Sequence, residues 1–234
     1  MREDQDRGAS ATSIAGTPDP GEPGPGQPGD AAAATTPGTV AASTALLIVD
    51  LQNDFADPAG SLAVAGGSEI VPLVNGLIRA AVAAGSFVAY TQDWHPEHTP
   101  HFARDGGIWP VHCVQNTWGA QLHPDLEVAG PVIRKGANGE DGYSGFTMRD
   151  PRSGRRIPTD LEALLRARQI DRVTVCGLAT DYCVLATALD AVRLGFATTV
   201  RTDAIRAVDL AEDDGRRALE RLAAAGVALE VAGE

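Results

Sequence analysis

Short apolar runs alternate with amphipathic stretches along the chain after residue 43. The first run, 44–50 (TALLIVD), is almost continuously apolar, which is typical of a strand buried on both faces of a parallel sheet. The same pattern predicts further strands at 87–91, 131–134, 172–176, 197–202 and 228–231. Apolar residues at helical spacing predict helices from 68 or 69 to 84 and over 159–168, 181–193 and 212–225. This alternation predicts an α/β domain, a three-layer sandwich in which helices flank a mostly parallel central sheet.

The segments between these elements are rich in loop-forming residues. Residues 52–67 and 92–118 are predicted as irregular segments, and 136–160 as a loop with a hairpin at Ser153-Gly154. The first 43 residues contain six of the fifteen prolines and no aromatic residue. Such a segment cannot bury enough apolar surface to offset its ordering entropy. We therefore predict a disordered tail over 1–43 and one folded domain over 44–234.

Composition excludes several classes of function. The formal net charge is -12, which argues against nucleic-acid binding because that requires a basic surface. No apolar run approaches the ~20 residues that a membrane-spanning helix needs. The three cysteines are too few for a disulfide framework, and this predicts a cytoplasmic protein. The oligomeric state is left open, a homo-oligomer included.

Cys183 follows the apolar run 173–176 and a short turn, in the first turn of the predicted helix 181–193. Free backbone N–H groups at a helix N-terminus favour a thiolate. A cysteine at the tip of a strand-turn-helix is therefore a candidate nucleophile. The alternative is a small buried hydrophobic residue, the usual state of a free cysteine.

Asp50 and Lys135 also follow predicted strands. The carboxyl ends of adjacent parallel strands lie on one edge of a sheet, so these side chains and Cys183 can converge there. Asp50 could accept the proton of the thiol, and Lys135 could favour both anions. The alternatives are a turn or N-cap role for Asp50 and a surface position for Lys135, which is the only lysine of the chain.

Four of the five histidines lie within eighteen residues: His95, His98, His101 and His112. Asp93 and His95 would lie on one face of a continuing strand. His101 and His112 could complete a site for one divalent zinc, iron or manganese ion. His98 competes with His101 for the third position, and the neighbouring Cys113 is a weaker candidate. The alternative is a solvated histidine-rich loop.

These segments resemble a known family. The motifs VDLQNDF with Asp50, RKGA with Lys135 and GLATDYC with Cys183 resemble the cysteine hydrolase superfamily of isochorismatases and nicotinamidases. The motifs QDWH, WPVHC and YSGF resemble the nicotinamidase branch. The resemblance extends from about residue 45 to the C-terminus, and its motifs occur in the order of the family. It implies the isochorismatase-like hydrolase fold.

The resemblance also implies an activity. Cys183 would attack the carboxamide of nicotinamide with Asp50 as proton shuttle and Lys135 as electrostatic partner, and a thioester would release ammonia and then nicotinic acid, a step of NAD salvage. The metal, held by Asp93, His95, His101 and His112, would bind the ring nitrogen. The remaining implied site residues are Phe55, Trp109 and Tyr143 on the ring, and Ala179 and Cys183 as N–H donors to the oxyanion after a cis peptide bond between Leu178 and Ala179.

Two other interpretations remain. The chain could be another hydrolase of the superfamily, an isochorismatase-like or carbamoyl amidase, although that would leave the cluster of Asp93 and histidines without a reason. It could also be a non-catalytic binding protein on the same fold. Loss of one of the three convergent residues would favour that interpretation, and all three are present.

Overall fold

The computed structural model describes residues 43–231. The predicted tail lies outside this range except for its last residue, so its disorder and the domain boundary remain predictions. Eight strands lie within it: β1 Ser43–Val49, β2 Phe87–Asp93, β3 Val132–Lys135, β4 Thr147–Arg149, β5 Arg156–Pro158, β6 Ile170–Leu178, β7 Ala197–Arg206 and β8 Ala228–Glu230. Five α-helices accompany them: α1 Asn53–Ala56, α2 Val71–Ala83, α3 Leu161–Ala167, α4 Leu185–Arg193 and α5 Asp214–Ala224.

Six strands form one parallel sheet in the order β3-β2-β1-β6-β7-β8. Alternate residues of β1 enter two different apolar clusters. Ala45, Leu47 and Val49 pack with buried residues of α3, α4 and α5, whereas Leu46 and Ile48 pack with buried residues of α1 and α2. A strand that is apolar on both faces is therefore covered by helices on both faces. The predicted three-layer α/β sandwich is confirmed.

Several boundaries differ from the predictions. Strand β2 extends to Asp93 because its pairing with β3 continues to the pair Asp93 and Lys135. Strand β7 extends to Arg206 along β6. The predicted loop 52–67 contains the short helix α1, and a 3-10 turn at Ser68–Ile70 precedes α2. The predicted hairpin exists, with β4 and β5 antiparallel on either side of Gly154.

The strand order decides where the functional residues meet. The chain passes from β1 to β2 and β3 on one side, and then crosses to β6 on the other side of β1. The reversal leaves a crevice outside the carboxyl ends of the central strands, where open α/β sheets bind their ligands. Asp50, Asp93, Lys135 and Leu178 end or follow the four strands that border this crevice.

No helix within residues 43–231 has the length and apolar character that crossing a membrane would require.

Candidate active site

Three residues that are far apart in the sequence meet at the carboxyl edge of the sheet. The Lys135 ammonium nitrogen lies 2.8 Å from Asp50 Oδ2 and 3.6 Å from Cys183 Sγ. It also pairs with the Asp93 carboxylate. All four side chains are buried, and Lys135 is only 1 % exposed. The structure thus brings Asp50, Lys135 and Cys183 together as the sequence predicted, and it excludes a surface position for Lys135.

The Asp50 carboxylate presents its two oxygens to different partners. Oδ1 accepts a hydrogen bond from the Thr91 hydroxyl. Oδ2 faces Lys135 and accepts no aligned hydrogen bond from the described residues. Asp50 itself has a φ of 45°, a left-handed conformation that is uncommon outside glycine. The backbone thereby turns at the end of β1, and a carboxylate oxygen of Asp50 lies within 4.8 Å of Cys183 Sγ.

Burial and nearby charges act together on the protonation of this group. Burial raises the pKa of the Cys183 thiol well above its usual range, and the nearby Asp50 and Asp93 act in the same direction, whereas Lys135 opposes them. These surroundings favour the thiol over the thiolate, in the opposite direction to the helix N-terminus. Burial alone would lower the pKa of Lys135, but Asp50, Asp93 and Cys183 raise it above its ordinary value, so the ammonium stays charged.

The nucleophile sits on an unusual turn. The peptide bond between Leu178 and Ala179 is cis, as the family resemblance implied. Gly177 has a φ of 114°, and a Cβ there would meet the Val49 carbonyl oxygen at 2.1 Å, so this position requires glycine. Cys183 then lies in a π-helical turn, Thr180–Val184, rather than in an α-helix starting at residue 181. The role of the Ala179 and Cys183 N–H groups as oxyanion donors remains a prediction.

A second group of buried side chains lies beside the first. His95, His101 and His112 offer ligand nitrogens that all lie within 4.8 Å of one another. The Asp93 carboxylate links the two groups, because Oδ2 lies 3.7 Å from His95 Nε2 while Oδ1 pairs with Lys135. Gly136, with a φ of 77°, makes room for His95, since a Cβ there would lie 2.6 Å from its Nδ1.

The residues of this cluster fit a divalent metal ion. Both ring nitrogens of His95 are buried without a hydrogen-bond partner among the described residues, which is costly unless something else binds them. His101 Nδ1 and His112 Nδ1 are held by Asp141 Oδ1 and the Pro110 carbonyl at 2.8 and 2.7 Å, which leaves each Nε2 for a ligand role. Burial lowers the pKa of His112 to about 4, so it is neutral at pH 7, as a metal ligand must be.

The other candidate ligands lie elsewhere. His98 is 71 % exposed and pairs with Asp105 at 3.1 Å outside the cluster. Cys113 is buried, and its Sγ is 3.9 Å from the Gly119 carbonyl oxygen. Burial raises the pKa of Cys113 well above its usual range, so this thiol is a poor ligand. The geometry therefore favours His101 over His98 as the third histidine.

A pocket joins the two groups, with Cys183, Asp93, His101 and His112 in its wall. The predicted ring-binding residues Phe55, Trp109 and Tyr143 also line it, and the Trp109 indole N–H donates to the Tyr143 hydroxyl at 3.0 Å. The pocket also has apolar lining residues that the sequence did not predict, namely Leu62, Val64, Leu178, Tyr182 and Val208. The pocket wall thus combines the thiol and the candidate metal ligands with aromatic and apolar side chains.

Three further buried or half-buried side chains support the site and were not predicted from the sequence. Gln52 binds both backbone polar atoms of Asp93, Thr91 binds Asp50, and Asp141 binds His101. Gln52 and Thr91 lie within or beside motifs that were recognised, at positions that could have been examined for buried polar side chains. Asp141 gave no such signal, because it lies in a loop 40 residues from its partner.

The chain is similar to known proteins over most of its length. A family model described as the isochorismatase domain matches residues 44–232. The nicotinamidase of Escherichia coli is 42% identical over 203 residues, which cover 79% of this chain and 93% of the relative. The nicotinamidase/pyrazinamidase of Mycobacterium tuberculosis is 40% identical over 190 residues, 79% of this chain and 97% of the relative.

A solved structure is similar over the same region. The pyrazinamidase of Pyrococcus horikoshii in complex with zinc has a TM-score of 0.72 and 40% identity, and the match covers 81% of this chain and 99% of the other. Because the family model and these relatives span nearly all the described residues, the chain belongs to the isochorismatase family.

Proposed function

We propose that this protein is a metal-dependent nicotinamidase, which hydrolyses nicotinamide to nicotinic acid and ammonia. One observation carries the proposal: Cys183, which contacts Lys135, lines the same pocket as two members of the histidine cluster, His101 and His112, together with aromatic side chains. The relatives named nicotinamidases, about 40% identical over most of the chain, support the same activity.

In the first half of the reaction, Cys183 Sγ attacks the carboxamide carbon while Asp50 Oδ2 takes the thiol proton. Burial raises the pKa of the thiol, which favours transfer of its proton to Asp50 as the attack proceeds. The Lys135 ammonium, 2.8 Å from Oδ2 and 3.6 Å from Sγ, stabilises whichever of the two carries the negative charge. The N–H groups of Ala179 and Cys183 are proposed to stabilise the developing oxyanion.

Asp50 then returns the proton to the amide nitrogen, the C–N bond breaks, and ammonia departs, which leaves a thioester on Cys183 and completes the first half. In the second half, a water molecule attacks the thioester carbon and gives a proton to Asp50. The C–S bond breaks, nicotinic acid is released, and the proton passes back to the Cys183 sulfur. One carboxylate can serve both halves because each half transfers a single proton in each direction.

Asp93, His95, His101 and His112 are proposed to hold the metal ion, zinc, iron or manganese. Such an ion would supply a Lewis acid for the pyridine nitrogen of the substrate and would help to orient the ring. Phe55, Trp109 and Tyr143 are proposed to pack on the ring faces and edge. The three cysteines are free, which suits a reducing compartment. We therefore propose that the enzyme acts in the cytoplasm, where its reaction would be a step of NAD salvage.

The decisive experiment measures ammonia release from nicotinamide, pyrazinamide and carbamoylsarcosine, with and without prior treatment with a chelator. We expect turnover of the two aromatic amides, loss of that turnover after chelation, and recovery with zinc, iron or manganese. Turnover of carbamoylsarcosine alone would instead indicate a carbamoyl amidase. Ammonia release by the Cys183→Ala variant at the wild-type rate would contradict the thioester mechanism.

A further inference from the structure

The Asp141 carboxylate lies immediately behind the histidine cluster. Its Oδ1 is 2.8 Å from His101 Nδ1 and also accepts the Gly142 N–H at 2.8 Å. An ionised carboxylate can only accept hydrogen bonds, so His101 carries its proton on Nδ1. In the neutral ring that a metal ligand requires, the other nitrogen, Nε2, is then the one with a free electron pair.

The second oxygen of the Asp141 carboxylate is held by an arginine. Arg149, on strand β4, pairs with Asp141 Oδ2 through its guanidinium group. The two residues also exchange backbone hydrogen bonds, 2.8 Å from Asp141 N–H and 2.6 Å from Arg149 N–H. The hairpin of β4 and β5 thus holds Asp141 by backbone and side chain. Of the two carboxylate oxygens of Asp141, Oδ1 contacts His101 and Oδ2 contacts Arg149.

The chain contains a matched pair that lacks this arrangement. His98 and Asp105 also contact each other, at 3.1 Å, in the same histidine-rich segment. His98 is exposed and lies outside the cluster, whereas His101 is buried within it. The chain therefore contains two histidine–aspartate pairs. In one pair the histidine, His101, belongs to the candidate metal site, and in the other the histidine, His98, does not.

We propose that Asp141 is a positioning residue for the metal site, which holds His101 in the tautomer and ring orientation that allow Nε2 to bind the ion. This inference rests on the metal site of the proposed function. A carboxylate bonded to the far nitrogen of a ligating histidine fixes the ring and raises the basicity of the ligand. Neither neighbouring histidine has a carboxylate hydrogen-bonded to its ring. His112 is held by a carbonyl oxygen, and the His95 ring has no hydrogen-bond partner among the described residues.

The test is the zinc affinity of the metal-free full-length protein, measured by competition with a chromophoric chelator. The variants are Asp141→Asn, which keeps an acceptor oxygen but removes the charge, and Asp141→Ala, which removes both. Asp105→Asn is the matched control. We expect the Asp141 variants to bind zinc about 10- to 100-fold more weakly than wild type, and the control to bind it with unchanged affinity.

Thermal unfolding of the metal-free variants separates positioning from a structural role. We expect Asp141→Asn to unfold at the wild-type temperature without metal, and to show lower stability than wild type only when zinc is present. If Asp141→Ala does not fold, the Asn variant alone decides the question.

Wild-type zinc affinity in the Asp141 variants, or an equal loss of affinity in Asp105→Asn, would overturn the inference while leaving the proposed function intact. A wild-type protein that releases ammonia from nicotinamide but binds no metal would overturn the metal site of the proposed function, and this inference with it.

Discussion

Thr91 and Asp50 hold each other by two hydrogen bonds. The Asp50 N–H donates to the Thr91 hydroxyl oxygen at 3.2 Å, and that hydroxyl donates to Asp50 Oδ1 at 2.7 Å. Both residues are buried, on adjacent strands β1 and β2 or just beyond them. The hydroxyl therefore occupies one carboxylate oxygen and leaves the other toward Lys135 and Cys183.

Replacement of Thr91 by Val tests this arrangement, because Val keeps the shape and removes the hydroxyl. A hydrogen bond to a charged group contributes about 1.5–3 kcal/mol, and we expect kcat for nicotinamide to fall about 10- to 100-fold with a smaller change in KM. Thr91→Ser, which keeps the hydroxyl, is the control and should retain most of the turnover. If Thr91→Val has the wild-type kcat, the hydrogen bond from the Thr91 hydroxyl to Asp50 Oδ1 has no part in proton transfer.

Alkylation should distinguish the three cysteines. Cys183 lines the pocket, whereas Cys113 and Cys176 are buried and do not contribute to its lining. We expect iodoacetamide, a small amide, to modify Cys183 alone in the folded protein, and nicotinamide to slow the modification. Peptide mass mapping after limited reaction measures the sites. Modification of Cys176 before Cys183, or a rate that nicotinamide leaves unchanged, would contradict the assignment of the pocket.

The two competing histidines can be separated by substitution. His101 belongs to the buried cluster, and His98 is exposed outside it. Since even partners of metal ligands affect affinity by about 10- to 100-fold, we expect His101→Gln to lower zinc affinity by at least this much. His98→Gln should bind zinc as wild type does. Equilibrium dialysis with metal analysis provides the measurement, and weaker binding in His98→Gln alone would reverse the assignment.

Acid stability should depend on Asp190, a buried residue of α4. Its carboxylate accepts from the Thr147 hydroxyl at 2.6 Å and pairs with Arg193 at 3.1 Å. Burial would raise its pKa, but hydrogen bonds from Thr147, Ser144 and Arg193 outweigh this and lower the pKa from its ordinary value of 3.8. A lowered pKa stabilises the fold above the unfolded value, and this contribution is lost as the pH falls through the folded value.

We therefore expect Asp190→Asn to lower the free energy of unfolding by about 1–2 kcal/mol at pH 7, and the difference from wild type to shrink below pH 3.8. Urea unfolding at a series of pH values measures both effects. Asp213→Asn is the control, since Asp213 pairs with Arg216 on the surface and such pairs contribute little. A difference that persists unchanged at the lowest pH would indicate that Asp190 acts through shape rather than charge.

The sequence predicted the fold well because burial on both faces of a strand leaves a continuous apolar run. The apolar run of β1 and the helical spacing of apolar residues in α2 could be recognised from each segment alone, without knowledge of what packs against it. The short helix α1 and the extension of β7 to Arg206 could not, because each depends on partners elsewhere in the chain. Backbone hydrogen bonds between residues distant in sequence are set by strand register, which local pattern does not contain.

The candidate site divides in the same way. The sequence by itself determined which chemical groups exist, namely one cysteine at a strand-turn-helix, one lysine, and a segment with four histidines. Only the tertiary structure decided that His101 rather than His98 joins the cluster, that Thr91 binds Asp50 and Asp141 binds His101, and that burial raises the pKa of Cys183. The physical reason is that burial, hydrogen-bond partners and nearby charges set the state of a side chain, and all three arise when distant segments pack together.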